Sequence, residues 1–417
     1  MIKTILVFLI IFSVIVVLHE FGHFFWAKRA GILVREFALG MGPKLFSGRD
    51  KEGTTYTIRM LPLGGYVRLA GLAEEEDLKA GQALGLTFDE NDRVVRINAS
   101  DQLAHDELPL RLDSFDLIHK MELSGFQHGN DHLSTYIVDD KAELIETDGT
   151  RIRVAPLASR YESASVWNKI LTNFGGPLNN FILAIIAFGL VGLLIPGVPT
   201  DLNRIGQVVE DSPAAQAGLK AGDYITKVAD EETHDWASLT EAIAQYPNQE
   251  VELEIVRDDL QTNQKVKLAS NSSGQGSLGI MVYRSQALID RLLFGFTATW
   301  STITLVLSAL AGLFTKGFNL NMLGGPVAMA QATSVVASQG IVDIISFLAA
   351  LSVNLGIVNL IPIPALDGGK IVLNLIEAVR GKPLSQEKEG LLTLIGFVFM
   401  LILMVAVTWN DLMRAFF

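Results

Sequence analysis

"VIVVLHEFGHFFWAKR", residues 14–29, sets two histidines and a glutamate inside a run otherwise apolar enough to cross a bilayer. A charged side chain at that depth costs ~3 kcal/mol or more, so ionisable groups there mark functional sites. His19-Glu20-Phe21-Gly22-His23 has H-E-x-x-H spacing. On a helix, residues four apart share one face, so both imidazoles can reach one Zn²⁺. Glu20, beside His19, is placed to take a proton from water. Two histidines that merely satisfied neighbours in a core would leave three costly polar groups in lipid. The stretch therefore predicts a spanning helix that carries half of a metal site.

The rest of the chain agrees with a polytopic α-helical membrane protein. Of 417 residues 49% are apolar even without counting glycine, and the mean hydropathy is +0.35, together too high for an ordinary soluble protein. There are no cysteines, which excludes disulfides, iron–sulfur clusters and thiolate zinc sites. A net charge of −12 argues against a nucleic-acid partner, because phosphate binding needs a basic surface. Four transmembrane helices are predicted, at 1–30, 172–197, 343–380 and 390–410. The run at 292–314 carries six Ser and Thr and predicts an amphipathic or interfacial helix within a helical region at 288–342.

Charge asymmetry orients the spans. Residues 28–68 hold eight Lys and Arg against three acids, whereas 201–290 hold fifteen acids against seven bases. Positive-inside bias puts the first segment in the cytoplasm and the second outside. Residues 31–72, rich in Gly and β-branched residues, predict a membrane-associated β-hairpin region. Residues 73–165 predict an inserted acidic, β-rich cytoplasmic domain, with Asp148-Gly149 as a hairpin turn. Residues 201–285, with "SPAAQAGLKAGDYI" at 212–225, resemble a bacterial PDZ domain.

A catalytic zinc takes three protein ligands and keeps one position open. Glu36 follows Gly31 and falls beyond the helix, so Asp367 is the better third ligand. It sits in "NLIPIPALDGGK", where Asn359, Pro362 and Pro364 break an apolar run. Irregular backbone at membrane depth is tolerated only where protein or a cavity covers it. With four spans, Asp367 and the two histidines meet in the cytoplasmic leaflet; a fifth span at 292–314 would separate them by ~20 Å. His128 and His132 are also four apart, but "HGNDH" reads as a turn.

H-E-F-G-H, N-L-I-P-I-P-A-L-D-G and a PDZ-like block together resemble the site-2 protease family of intramembrane zinc metalloproteases, of the bacterial RseP type. Within it the chain is most similar to the Gram-positive form with a single PDZ domain, which includes pheromone-processing proteases. That resemblance implies zinc on His19, His23 and Asp367, with Glu20 as the catalytic glutamate. It also implies substrate binding by Asn359, Pro362 and Pro364, and by Gly64 and Gly65 of "LPLGGYVR", matched to a membrane-reentrant hairpin. "GGPLNN", at 175–180, matches the motif that opens the second span. The implied partners are the lipid bilayer and single-pass membrane proteins or peptides: anti-sigma factors, signal-peptide remnants or pheromone precursors. The implied location is a bacterial cell membrane, with the active site towards the cytoplasm and the PDZ domain outside. A zinc transporter or sensor, and a PDZ scaffold with a degenerate site, use some of the same parts.

Overall fold

The computed structural model describes residues 2–72, 78–100, 102, 104–127, 132–147, 149–315 and 323–416; His128 and Asp148 lie outside the described residues. Two compact units are present: Met1–Ala187 with Thr299–Phe417, and Phe188–Ala298. The helices are α1 (Ile2–Arg29), α2 (Val166–Leu194), α3 (Pro213–Gln216), α4 (Trp236–Ala244), α5 (Leu288–Thr315), α6 (Pro326–Gln339), α7 (Ile341–Asn359), α8 (Asp367–Arg380) and α9 (Gln386–Phe416). Among the described residues, five are long and apolar enough to cross a membrane: α1, α2, α5, α7 and α9. Helix α5 thus meets that criterion by length and composition, although its Ser and Thr content predicted an interfacial helix.

Local chemistry sets the helix ends. Lys28 and Arg29 close the last turn of α1, where cations suit the helix dipole, and Gly31 follows at φ +77°. The segment read as one span over 343–380 is two helices, because Pro362 and Pro364 cannot continue α7. Helix α8 exposes an apolar stripe of Val372, Leu375, Ile376 and Val379 and buries Gly368, Gly369 and Asn374, the pattern of an interfacial helix. Asp411, near the end of α9, caps α6: its Oδ2 accepts from the Gly325 and Ala328 amides at 2.9 and 3.0 Å.

Strands β1 (Val34–Arg49) and β2 (Thr55–Leu69) pair with each other through bends at Gly40 (φ +85°) and Gly64 (φ +82°). The first part of β1, Val34–Leu39, lies between Thr55–Ile58 and Gly65–Leu69 of β2. Among the described residues, Gly65–Leu69 therefore has a strand partner on one side and no strand paired on the other. The outer surface is apolar, with Met41, Leu45, Phe46, Ile58, Met60 and Leu61 exposed. Inside, Glu36 accepts from Thr57 Oγ1, Arg59 Nη2 and Tyr66 Oη at 2.6–2.8 Å. Glu36 is thus committed to the hairpin.

The acidic insert is a β domain. Strands β3 (Ala83–Phe88), β4 (Val94–Asn98), β5 (Leu108–Asp116), β6 (Glu122–Gln127), β7 (Leu133–Ile145) and β8 (Arg151–Arg153) form one sheet in the order β4-β3-β5-β6-β7-β8. Strand β4 also pairs with β7, so five strands close around Leu84, Leu86, Ile97, Leu112 and Leu123.

In the second unit, β9 (Val198–Pro199) leads to β10 (Ile205–Val208), β11 (Tyr224–Val228), β12 (Glu231–Glu232), β13 (Glu250–Arg257) and β14 (Leu260–Lys267). The last four form a sheet in the order β12-β11-β13-β14. Helix α4 packs Leu239, Ala242 and Ile243 into a core with Ile225, Leu253 and Ile255. Arg291 of α5 closes the end of α2, donating to the carbonyls of Gly192, Leu193 and Ile195.

Burial pushes the Asp223 carboxyl up, but donors from Arg257 at 2.6 and 2.7 Å and the Lys220 amide outweigh it and hold the group below its ordinary value. A carboxyl lowered by folding adds stability above its unfolded value, which is lost as pH falls through its folded value. Arg257→Gln raises the folded value, so less of that stability is present at neutral pH and its loss is complete at higher pH. Mapped pepsin cleavage of the full chain between about pH 5 and 2 should show the 201–285 segment opening earlier in the variant.

Candidate metal centre

The site forms where α1 meets the start of α2. A methyl group on Gly22 would overlap the Gly175 carbonyl, and one on Gly176 would overlap both imidazoles of the motif. Glycine at these positions lets the two backbones touch, as small residues do between membrane helices. Pro177 follows Gly176 directly and leaves α2 continuous. Asn179 Nδ2 donates to the Leu18 carbonyl at 2.8 Å, and Ser352 Oγ of α7 donates to the Asn180 carbonyl at 2.8 Å. Three helices are thereby tied together around His19.

Asp367 begins α8 directly after the break. Methyl groups at Gly368 or Gly369 would strike the carbonyls of Leu360 and Ile363, so this double glycine lets the helix start fold back on the broken segment. The far half of α8 is held by polar groups. Lys169 Nζ donates to both oxygens of Glu377 at 2.8 and 3.0 Å, and Asn374 and Asn173 both donate to Tyr161 Oη. Burial pushes the Tyr161 hydroxyl up to about 12, which keeps it protonated.

These elements bring His19, His23 and Asp367 together. The two Nε2 atoms are 3.2 Å apart, and each is 3.3 Å from Asp367 Oδ2. Four ligands at tetrahedral zinc, bonded at ~2.0–2.1 Å, stand about 3.3 Å from one another. The donor set fits that ion.

The outer nitrogens fit too. His23 Nδ1 lies 2.8 Å from the Thr172 carbonyl, which can only accept, so Nδ1 carries the proton and Nε2 presents a lone pair. His19 Nδ1 faces the Asn180 amide, with Nδ2 at 3.1 Å and Oδ1 buried without a partner. Amide nitrogen and oxygen are assigned from their hydrogen bonds. Turning that amide lets Oδ1 accept from His19 Nδ1–H, which removes the orphan and leaves the second Nε2 bare. Two bare nitrogens and a carboxylate oxygen converge, and a divalent cation satisfies all three.

The centre opens into a cavity of about 370 Å³. Glu20, Gly64, Gly65, Asn359 and Lys370 are on its walls, with Tyr66 and Val67 of the free β2 edge. Pro362 and Pro364 are absent from that lining: Pro362 is exposed, and Pro364 packs beside Gly369 and Gly396. A larger cavity, about 790 Å³, lies against Phe21, Phe25 and Arg29 and contains none of the three metal-binding candidates. Asn180, Thr172 and Lys370 received no role from the sequence. The signal available was polarity inside an apolar stretch, as in "GGPLNN".

Comparison with known proteins places this geometry in a family. The profile described as peptidase family M50 matches residues 7–403. The chain belongs to peptidase family M50, the site-2 proteases. It is 46% identical to the probable protease Eep of Enterococcus faecalis, over the whole of both chains. It is also 46% identical, over the full length of each, to a putative zinc metalloprotease of Lactococcus lactis, and 44% identical to one of Streptococcus pyogenes over 99% of each. Among solved structures, a PDZ domain from Listeria innocua is similar at 23% identity and a TM-score of 0.19, covering 20% of this chain and 97% of that domain. As an M50 member the chain is a metalloprotease of a zinc-dependent family.

If the Asn180 side chain orients His19, Asn180→Leu should weaken zinc binding about 10–100-fold, the usual cost of losing such a partner. Competition with a chromophoric chelator on the purified protein measures it. Asn180→Asp, which retains the acceptor, should restore most of the affinity.

Proposed function

We propose that the chain is an intramembrane endopeptidase that cuts the transmembrane segments of single-pass substrates, with zinc on His19, His23 and Asp367 and Glu20 as the base. One observation carries this reading: three ligand atoms within 3.3 Å of one another open into a cavity shared by a free carboxylate and a free strand edge. Bound there, zinc supplies a Lewis acid that activates water and polarises a carbonyl.

The protein's own groups do the rest. Glu20 has no hydrogen-bond partner among the described residues, so its carboxylate is free to take the proton from the attacking water and pass it to the departing nitrogen. A helical substrate hides its carbonyls, and the Gly65–Leu69 edge can pair with the strand released when the helix unwinds. Gly65 has no side chain to hold that strand away from Glu20: a methyl there would already lie 3.3 Å from Glu20 Cγ. The apolar outside and satisfied polar inside of the β1/β2 hairpin support a membrane-reentrant placement.

Four net crossings are consistent with the helix directions. Helices α1 and α7 bring their C-terminal parts to the cluster, α2 brings its N-terminal part, and α5 then adds no net crossing. Basic residues after α1 support a cytoplasmic position for the centre and an outside position for the acidic 201–285 block, in a bacterial cell membrane. The fitting substrates are single-pass remnants such as signal-peptide stubs, pheromone precursors and anti-sigma factors.

In membranes, Glu20→Gln should lower cleavage of a single-span reporter by at least about 10²-fold while bound zinc, measured by elemental analysis, is unchanged. Proteomics of the same membranes should show single-span fragments accumulating. Wild-type turnover by the variant would refute the protease chemistry and favour metal handling.

A further inference from the structure

Lys370 is a cation with no assigned work. It sits in the first turn of α8, three residues after Asp367, or about 4.5 Å further along the axis. Its side chain is half-buried and lines the catalytic cavity. Among the described residues neither Glu20 nor Asp367, nor any other acid, lies within ion-pair distance of it. Two costs oppose this placement. A helix N-terminus disfavours positive charge, and an unpaired, partly desolvated ammonium at a membrane boundary lacks the hydration it has in bulk water. By contrast Lys169, further buried in the same unit, is fully paired with Glu377. The partner of Lys370 must come from whatever fills the cavity.

The reaction creates such a partner. Water oxygen bonds to the carbonyl carbon and the C=O electron pair moves onto the carbonyl oxygen. Collapse of that adduct breaks the C–N bond and the nitrogen takes the proton removed by Glu20; the remaining water proton then passes from the new carboxylic acid to the amine, leaving an ammonium and a carboxylate where a neutral amide had been. Resting on the endopeptidase reading, we propose that Lys370 is a further catalytic residue, donating to the substrate carbonyl oxygen as it gains charge and then pairing with the product carboxylate. A substrate strand on the Gly65–Leu69 edge would lie across the cavity from α8, with its carbonyls within reach of a four-carbon side chain. The cavity would then hold a base, a metal position and a cationic donor on three separate elements: α1, the α1–α8 junction and α8.

The test uses the full-length, zinc-loaded protein in lipid nanodiscs. With a single-span fluorogenic reporter, Lys370→Met should lower kcat about 10²-fold with KM and zinc content within a factor of three, and Lys370→Arg should recover part of the rate. In the Glu20→Gln background, calorimetry with acetyl-Leu-Ala-Leu-Ala as free acid and as terminal amide should show a preference for the acid. Lys370→Met should cut that preference about tenfold and Lys370→Arg should keep it. An unaltered rate and preference in Lys370→Met would overturn the proposal, as would loss of zinc, which would make Lys370 part of the metal site's scaffold. If the wild-type protein fails to cleave, the endopeptidase reading falls, while the acid-over-amide comparison still decides whether Lys370 receives an anionic oxygen.

Discussion

The backbone contact between Gly22 and Gly175 is the constraint on which the rest of the centre depends. Two membrane helices gain little from hydrophobic burial against each other, because lipid is as apolar as they are. Their approach rests on packing and hydrogen bonds, and both need small residues at the crossing. Gly22 occupies a variable position of the H-E-x-x-H motif, so the residue that permits the crossing lies between the two histidines. Once the backbones touch, the Thr172 carbonyl and the Asn180 amide stand within reach of His23 and His19. The same contact that positions the imidazoles also selects their tautomers.

A second consequence concerns Asp367, which is 344 positions after His23. Its helix is not a continuation of a span but an interfacial element held at both ends. The double glycine presses its start against the broken segment, and Lys169, Tyr161 and Asn173 hold its far half through Glu377 and Asn374. Lys169 is 2% exposed, so breaking that pair would leave a buried charge without compensation. The proposed ligand from far along the chain is therefore as firmly located as the two on one helix.

Legibility in the sequence followed the range of the interactions. His19 and His23 could be read because i, i+4 geometry is local to one helix. Asp367 could be read because prolines and asparagine in an apolar run announce a break. The division of 343–380 into two helices also follows from Pro362 and Pro364, although the lining of the cavity by Leu355 and Leu366 rather than by those prolines does not. Long-range pairing was out of reach. The closure of the 73–165 sheet depends on β4 meeting β7, and the free edge of β2 depends on bends at Gly40 and Gly64 that put Val34–Leu39 between two parts of one strand. Nor could composition decide α5, whose apolar length suits a span while its hydroxyl residues suit an interface.

The free strand edge and the metal cluster place opposing demands on the chain. An exposed edge invites pairing with any strand, whereas the proposed intramembrane endopeptidase must admit only an unwound substrate. The fold meets both by keeping the edge inside a cavity of about 370 Å³ walled by α1, the start of α2 and α8. A helix has its backbone donors and acceptors paired internally, while an extended strand can offer them to an edge about 4.8 Å away. On the proposed endopeptidase reading, selection for an unwound segment follows from backbone pairing at that edge, and it requires no recognition of a particular side chain. A protein built this way would discriminate among substrates by how readily their helices open near the membrane boundary.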